Sequence, residues 1–242
     1  MPRYKLTIQY LGQNFKGSQK QLKERTVQDE LEKALSTLTQ QKISTIFSGR
    51  TDSGVSAKGQ VVHFDYEGKI ALYNLNCVLP DDIRVVKLTT VNKKFHAQMS
   101  AKARHYQYKI NNSEVENIFD TATFHYRYKL DLKRINEALS YLIGEHDFSA
   151  FKSSSDNPAR VCTIYKAQAK KAQGVIKIDI IGNRFLYNMV RTIIGTLLMI
   201  EKDNLPPAKM KEILNSRKRE LAGSVISPIG LTLIKVEYKD KY

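Results

Sequence analysis

The chain has 242 residues, with 39 Lys plus Arg against 24 Asp plus Glu, a formal net charge of +15 and a pI near 9.6. That balance calls for a polyanionic partner, because clustered cations attract phosphate regardless of its sequence and lose the attraction as salt rises; an anionic membrane surface would satisfy the charge equally well. Against a membrane role, no apolar run approaches the ~20 residues of a span, and MPRYKLTIQY alternates instead of forming a signal-peptide core. Cys77 and Cys162 lack CxxC spacing and are too few for a disulfide framework or a zinc cage. A cytoplasmic protein with no membrane association is expected, with both cysteines as buried thiols.

At 42 % apolar residues the chain can build a sizeable core, and its elements fall into two halves, 1–101 and 102–242. Tyr4, Leu6, Ile8 and Tyr10 alternate with polar residues, which predicts a strand with one buried face. Thr26 and Asp29 have capping-box spacing, and Val27, Leu31, Ala34, Leu35 and Leu38 form an apolar stripe, predicting a helix through about Thr39. Strands are predicted at Ile43–Phe47 and Gln60–Phe64, a short helix over Ala71–Leu79 ending before Pro80, and a strand at Ile83–Thr90.

The second half repeats the alternation. A strand is predicted at Arg104–Ile110, a helix at Leu132–Ile143, and strands at Val161–Ala169 and Val175–Ile181. The strongest helix pattern covers Arg184–Glu201, where apolar pairs recur every four residues from Phe185 and Leu186 to Leu197 and Leu198. Arg191 lies off that stripe, on one line with Asn188 and Gly195. It projects toward a cleft or is simply solvated, and the pattern alone favours solvation. Pro206, Pro207, a short helix and a strand at Leu231–Tyr238 end the chain. Strands and helices alternating in two halves indicate α+β.

The stretch GRTDSGVSAKGQVVHFD, Gly49 to Asp65, sets an arginine and an aspartate two residues apart in a turn-rich loop, directly after one β-branched run of the first half and before the other. Loops held by sheet strands are good sites for catalysts, and Gly49 and Gly54 are read as giving this one unusual backbone freedom. A turn aspartate also commonly bonds its own backbone, and on spacing alone that second reading is favoured.

The motif GRTDSGV followed by QVVHF resembles the active-site motif of the TruA family of tRNA pseudouridine synthases. Further segments match in the family's order: YKLTIQYLGQNFKGSQ, RTVQDELEKAL, LNCVLPDDIRV, FHAQMSAKARHYQYKIN, LIGEHDFSAF, RFLYNMVRTIIGTLLMI and IGLTLIKVEY. The resemblance runs from about Tyr4 to Tyr238. It implies two ferredoxin-like halves sharing a long, mostly antiparallel central sheet with an active-site cleft between them. It also implies a homodimer isomerising uridines of the tRNA anticodon stem-loop, at tRNA positions 38, 39 and 40.

That reaction breaks the bond from ribose to uracil N1, turns the base, rejoins it through C5 and removes the C5 proton. It needs a carboxylate at the sugar or base and a pocket that keeps the detached uracil from water. By resemblance Asp52 is the catalytic nucleophile, whether it attacks or promotes elimination, and Arg191 is the guanidinium that pairs with it, lowering its pKa by roughly 1 to 3 units and fixing its orientation. Tyr106 matches the family's active-site tyrosine, able to stack on an extruded base and relay the C5 proton. Tyr108 shares its strand face and competes for the assignment, and ordinary sheet packing would explain either. Arg50 matches the arginine that helps extrude the target, though a phosphate contact or surface charge would also account for it. Leu231 matches an apolar residue under the base, with core burial as plausible. The substrate footprint is completed by Lys58 and Arg104, with Lys16, Lys20, Lys23, Arg25, Lys102, His105 and Arg217–Arg219 assigned only collectively.

Three positions depart from the family pattern: Ser18 for tryptophan, Ser56 for histidine and Gln98 for arginine. They are read as altering efficiency or target range in an active enzyme. A noncatalytic RNA-binding module or chaperone is the rival reading, and a glycosidase a weaker one, since glycosidases use paired acids. Neither metal nor organic cofactor is expected, because the reaction is an isomerisation and the five histidines lack ligand spacing.

Overall fold

The computed structural model describes residues 1–155 and 158–239. The chain divides into two compact units, Met1–Lys102 together with the chain from Thr232, and Ala103–Leu231. Among the described residues there are ten strands and five α-helices, a mixed α+β protein, and no helix is long and apolar enough to cross a membrane.

The first unit runs β1 (Arg3–Tyr10), α1 (Val27–Thr39), β2 (Ile46–Phe47), β3 (Ser56–Asp65), α2 (Leu72–Val78) and β4 (Ile83–Val91). Its strands lie in the order β4-β1-β3-β2, each pair antiparallel, the arrangement of a ferredoxin-like βαββαβ unit. The alternation seen in the sequence is the burial pattern: Tyr4, Leu6, Ile8 and Tyr10 are buried, as are Val27, Leu31, Ala34 and Leu35 of α1 and Leu75 of α2. Each fully buried Leu or Ile contributes about 1.5–3 kcal/mol.

Thr26 caps α1, its Oγ1 accepting from the Asp29 N–H at 3.3 Å. The Asp29 carboxylate does not complete a reciprocal box; Lys33 and Lys20, at 2.7 and 2.9 Å, bind it and hold it below the usual carboxylate range. The strand expected from Ile43 shrinks to the two residues of β2. Thr45 instead gives its backbone N–H and its hydroxyl to Glu32 of α1, at 2.9 and 3.0 Å, so those groups are spent before a ladder can form.

The second unit runs β5 (Ala101–Asn111), β6 (Phe124–His125), α3 (Leu132–Ser140), β7 (Gly144–Asp147), β8 (Val161–Ala172), β9 (Val175–Gly182), α4 (Met189–Lys202) and α5 (Lys209–Ser216). The order β5-β9-β8-β7 is antiparallel throughout, with β6 parallel to β5. The last strand, β10 (Leu231–Tyr238), pairs in parallel with β3 through Thr232–Ser56 and Leu233–Ala57, so the end of the chain returns to the first unit's sheet.

The helix expected from Arg184 starts five residues later. Arg184 donates twice to the Val161 carbonyl, at 3.0 and 2.7 Å, Phe185 meets the Tyr106 ring, and Asn188 has a left-handed φ of 59° that a helix cannot contain. Residues 184–188 fasten to the sheet before α4 begins.

Candidate active site

The Asp52 loop is tied down immediately before the aspartate. Thr51 donates its N–H to Ser18 Oγ at 2.8 Å and accepts from the Ser18 N–H at 3.1 Å, while its hydroxyl bonds the Tyr10 hydroxyl at 2.8 Å. Thr51, Ser18 and Tyr10 are all buried. Burial pushes the Tyr10 phenol up to about 12, so it stays protonated at neutral pH. On the upstream side, Gln60 reaches back from β3, its Nε2 donating to the Gly49 carbonyl at 2.9 Å and its Oε1 accepting from Ser48 Oγ at 2.5 Å and from the Val61 N–H at 3.1 Å.

After Asp52 the chain reverses. The Val55 N–H donates to the Asp52 carbonyl at 3.1 Å, and the Gly54 N–H and the Ser53 hydroxyl both reach the Phe15 carbonyl at 3.3 Å. Gly54 has a φ of +80°, open to glycine and strained for other residues. Gly49 does not share this role. Its φ is ordinary and a Cβ there would meet nothing within 4 Å, so the freedom read into it from the sequence is not used. Asp52 emerges half-buried, flanked by exposed Arg50, with Lys58 exposed on β3.

The departures from the family pattern have different consequences. Ser56 places its hydroxyl where it accepts from the Gly12 N–H at 3.0 Å. Ser18 is a buried hydrogen-bonding partner of the loop itself. Of the expected RNA-facing cations, Lys20 pairs with Asp29 at 2.9 Å and Glu32 at 3.6 Å, and Arg25 pairs with Asp82 at 2.7 Å. Arg217 pairs with Asp147 at 3.4 Å. These three side chains meet carboxylates of the protein while staying exposed, as Lys16 and Lys102 are.

In the second unit, Tyr106 on β5 is half-buried, its ring edge-on to Phe185 with centroids 5.0 Å apart and planes at 82°. Tyr108 is different. It is fully buried, its hydroxyl donates to the Ser227 carbonyl at 2.8 Å, and burial pushes its pKa up. It is a core residue, whereas Tyr106 keeps part of its ring accessible. Arg191 lies in the first turn of α4, where its Nε donates to the Ile226 carbonyl at 2.7 Å and its Nη1 to Asn188 Oδ1 at 2.9 Å. Two bonds at separate nitrogens fix the plane of the guanidinium.

The Ile226 segment is pressed onto α4. A Cβ on Gly195 would come 1.9 Å from the Ser224 carbonyl oxygen, and the Gly223 N–H donates to Thr196 Oγ1 at 2.9 Å. Arg104 donates to the Asn183 carbonyl at 2.6 Å, and His105, on the opposite strand face, pairs with Asp179 at 2.7 Å. Leu231 is 4 % exposed. Sequence reading overlooked Tyr10, Thr51, Gln60 and Phe185 as support for the site. Their only signal was proximity in sequence to motif residues, and side-chain direction decided the rest. Among the described residues no group of three or more His, Cys, Asp or Glu is placed to hold a metal ion.

The family described as tRNA pseudouridine synthase matches residues 6–98 and 138–239. The chain is 41 % identical over 244 residues to tRNA pseudouridine synthase A of Bacillus pumilus, covering 98 % of this chain and 99 % of that protein. It is 40 % identical over 244 residues to the protein of the same name from Acetivibrio thermocellus, covering 98 % and 100 %. Among solved structures, a chain of a Cbf5-Nop10-Gar1 complex aligns with a TM-score of 0.43 at 9 % identity, covering 96 % of this chain and 59 % of that one, too distant to argue from.

Proposed function

The chain belongs to the tRNA pseudouridine synthase family, and we propose that it isomerises uridines of the tRNA anticodon stem-loop, at tRNA positions 38, 39 and 40, with Asp52 as the catalytic nucleophile. As a member it is an isomerase that needs no redox partner: N1–C1′ breaks, C1′–C5 forms, the C5 proton leaves and N1 is protonated. In this reading the protein acts in the cytoplasm as a homodimer, with Arg50, Asp52 and Lys58 in the first unit and Arg104, Tyr106, Arg191 and Leu231 in the second.

The observation that carries the reading is the construction around Asp52. The residue before it is bound on three sides, at its N–H, its carbonyl and its hydroxyl, and the residue three beyond it closes a turn on the Asp52 carbonyl. A half-buried carboxylate on a backbone held this firmly is preorganised, which is what a nucleophile requires and a simple surface turn does not.

The remaining roles follow from chemistry. Arg191, its plane set by Ile226 and Asn188, is assigned to keep the Asp52 carboxylate ionised and oriented. Tyr106, edge-on to Phe185, stacks on the extruded uracil and relays the C5 proton. Arg50, exposed two residues before Asp52, occupies the space the base vacates. Leu231 packs beneath the base, and Lys58 and Arg104 contact phosphates.

The test is release of tritium from tRNA labelled at uridine C5, comparing the protein with Asp52→Ala. Release by the wild type, loss in the variant and unchanged tRNA binding are expected. Binding without release by the wild type would instead establish an RNA-binding module, and free uracil as product would establish a glycosidase.

A further inference from the structure

The strongest unassigned feature near the site is the pair of bonds between Ser18 and Thr51. Ser18 lies in the loop after β1, 33 positions before Thr51, and only 1 % of its surface is exposed. Its backbone N–H donates to the Thr51 carbonyl at 3.1 Å, and its hydroxyl oxygen accepts from the Thr51 N–H at 2.8 Å. Both polar groups of one peptide residue are thus satisfied by a single partner residue. The backbone half of this clamp is independent of the side chain at position 18. The other half requires an acceptor there.

We infer that Ser18 is a positioning residue for the Asp52 carboxylate, acting through the Thr51 backbone, and that it governs turnover without contacting the RNA. This rests on the reading of Asp52 as the nucleophile. The Ser18 hydroxyl holds the peptide entering Thr51 and the Ser18 N–H holds the Thr51 carbonyl in the peptide that leads to Asp52, so losing the hydroxyl leaves Thr51 anchored at one end only, free to pivot about the remaining bond and to carry Cα and carboxylate of Asp52 with it. Shifts of about 1 Å in a reacting group cost on the order of 100-fold in rate. The Tyr10 hydroxyl, 2.8 Å from Thr51 Oγ1, steadies the same residue from the strand side, so removing the Ser18 acceptor loosens the loop without unfolding it.

The decisive comparison is Ser18→Ala against Ser18→Cys and wild type, each followed by three readouts. These are the melting temperature, the split of tritium release into kcat and KM for tRNA, and amide hydrogen exchange at Thr51 and Asp52. Ser18→Ala is expected to lower kcat about 10- to 100-fold with KM within about twofold, to speed exchange of the Thr51 amide, and to remain folded at the assay temperature. Ser18→Cys, with a weak sulfur acceptor of similar size, should recover part of both losses. An unchanged kcat in Ser18→Ala, or a loss matched by the fraction unfolded and not relieved by cysteine, overturns the inference. The reading of Asp52 fails separately, if Asp52→Ala retains wild-type release. In that case faster Thr51 exchange without a kcat effect would show Ser18 to be structural only, which also overturns it.

Discussion

His63 of β3 accepts a hydrogen bond from the Ala97 N–H through Nδ1 at 3.1 Å, buried to 2 % exposure and edge-on to Phe95. This one imidazole binds the segment after β4 to the middle of the first unit's sheet, and it can do so only as an acceptor, hence only while neutral.

Burial first, then the nearby Arg3 and His96 charges, lower the His63 pKa from 6.5 to about 4, with Asp65 opposing. Between those values the unfolded chain binds the extra proton, so acidification favours unfolding. The contribution is complete above about pH 6.5 and gone below about 4, on the order of 3 kcal/mol in all. Urea denaturation at pH 7 and pH 5 should show a larger loss for the wild type than for His63→Gln, which keeps an acceptor but does not titrate. Equal losses would refute the assignment.

The two tyrosines of β5 should separate cleanly. Tyr108→Phe removes the donor to the part-buried Ser227 carbonyl and is expected to cost about 1–3 kcal/mol of stability with kcat within about twofold. Tyr106→Phe should leave stability within about 0.5 kcal/mol and lower kcat about 10- to 100-fold through loss of the proton relay. Thermal melts and tritium release on the same preparations decide it, and the reverse pattern would move the proton-relay role to Tyr108.

Asn188 holds Arg191 at Nη1 from a left-handed backbone position. Glycine keeps that backbone and removes the side chain. Asn188→Gly is expected to reduce kcat about 10-fold, and Arg191→Lys about 100-fold, because an ammonium cannot serve Ile226, Asn188 and a carboxylate in one plane. If Arg191→Lys turns over normally, the planar-fork role of Arg191 is wrong.

Gly195→Ala tests the packing beneath Arg191. The added Cβ would sit 1.9 Å from the Ser224 carbonyl oxygen, so the segment carrying Ile226 has to move. A loss of about 3 kcal/mol is expected, together with a fall in kcat, since the displaced segment includes the Ile226 carbonyl that holds Arg191. A stable, fully active variant would show the segment to be free to yield.

Most of the fold was legible because periodicity is local. The alternation of β1, the stripe of α1 and the span of β10 match the structure closely, each set by side chains recurring at the period of its own element. Boundaries failed where a side chain is used at long range. β2 is short because Glu32 takes the Thr45 N–H, and α4 begins at Met189 because Arg184 is held by Val161. No window along the chain contains those partners.

The same division holds for the site. The residue types and spacing of GRTDSGV, and their order among the other matched segments, were enough to point to the family and to single out position 52. That Gly54 and not Gly49 uses glycine's freedom, that Tyr108 is core, and that Ser18 clamps Thr51 emerged only from the folded chain. Sequence determines which groups are available. Which of them meet depends on backbone direction and burial, which residues far apart in the chain set jointly.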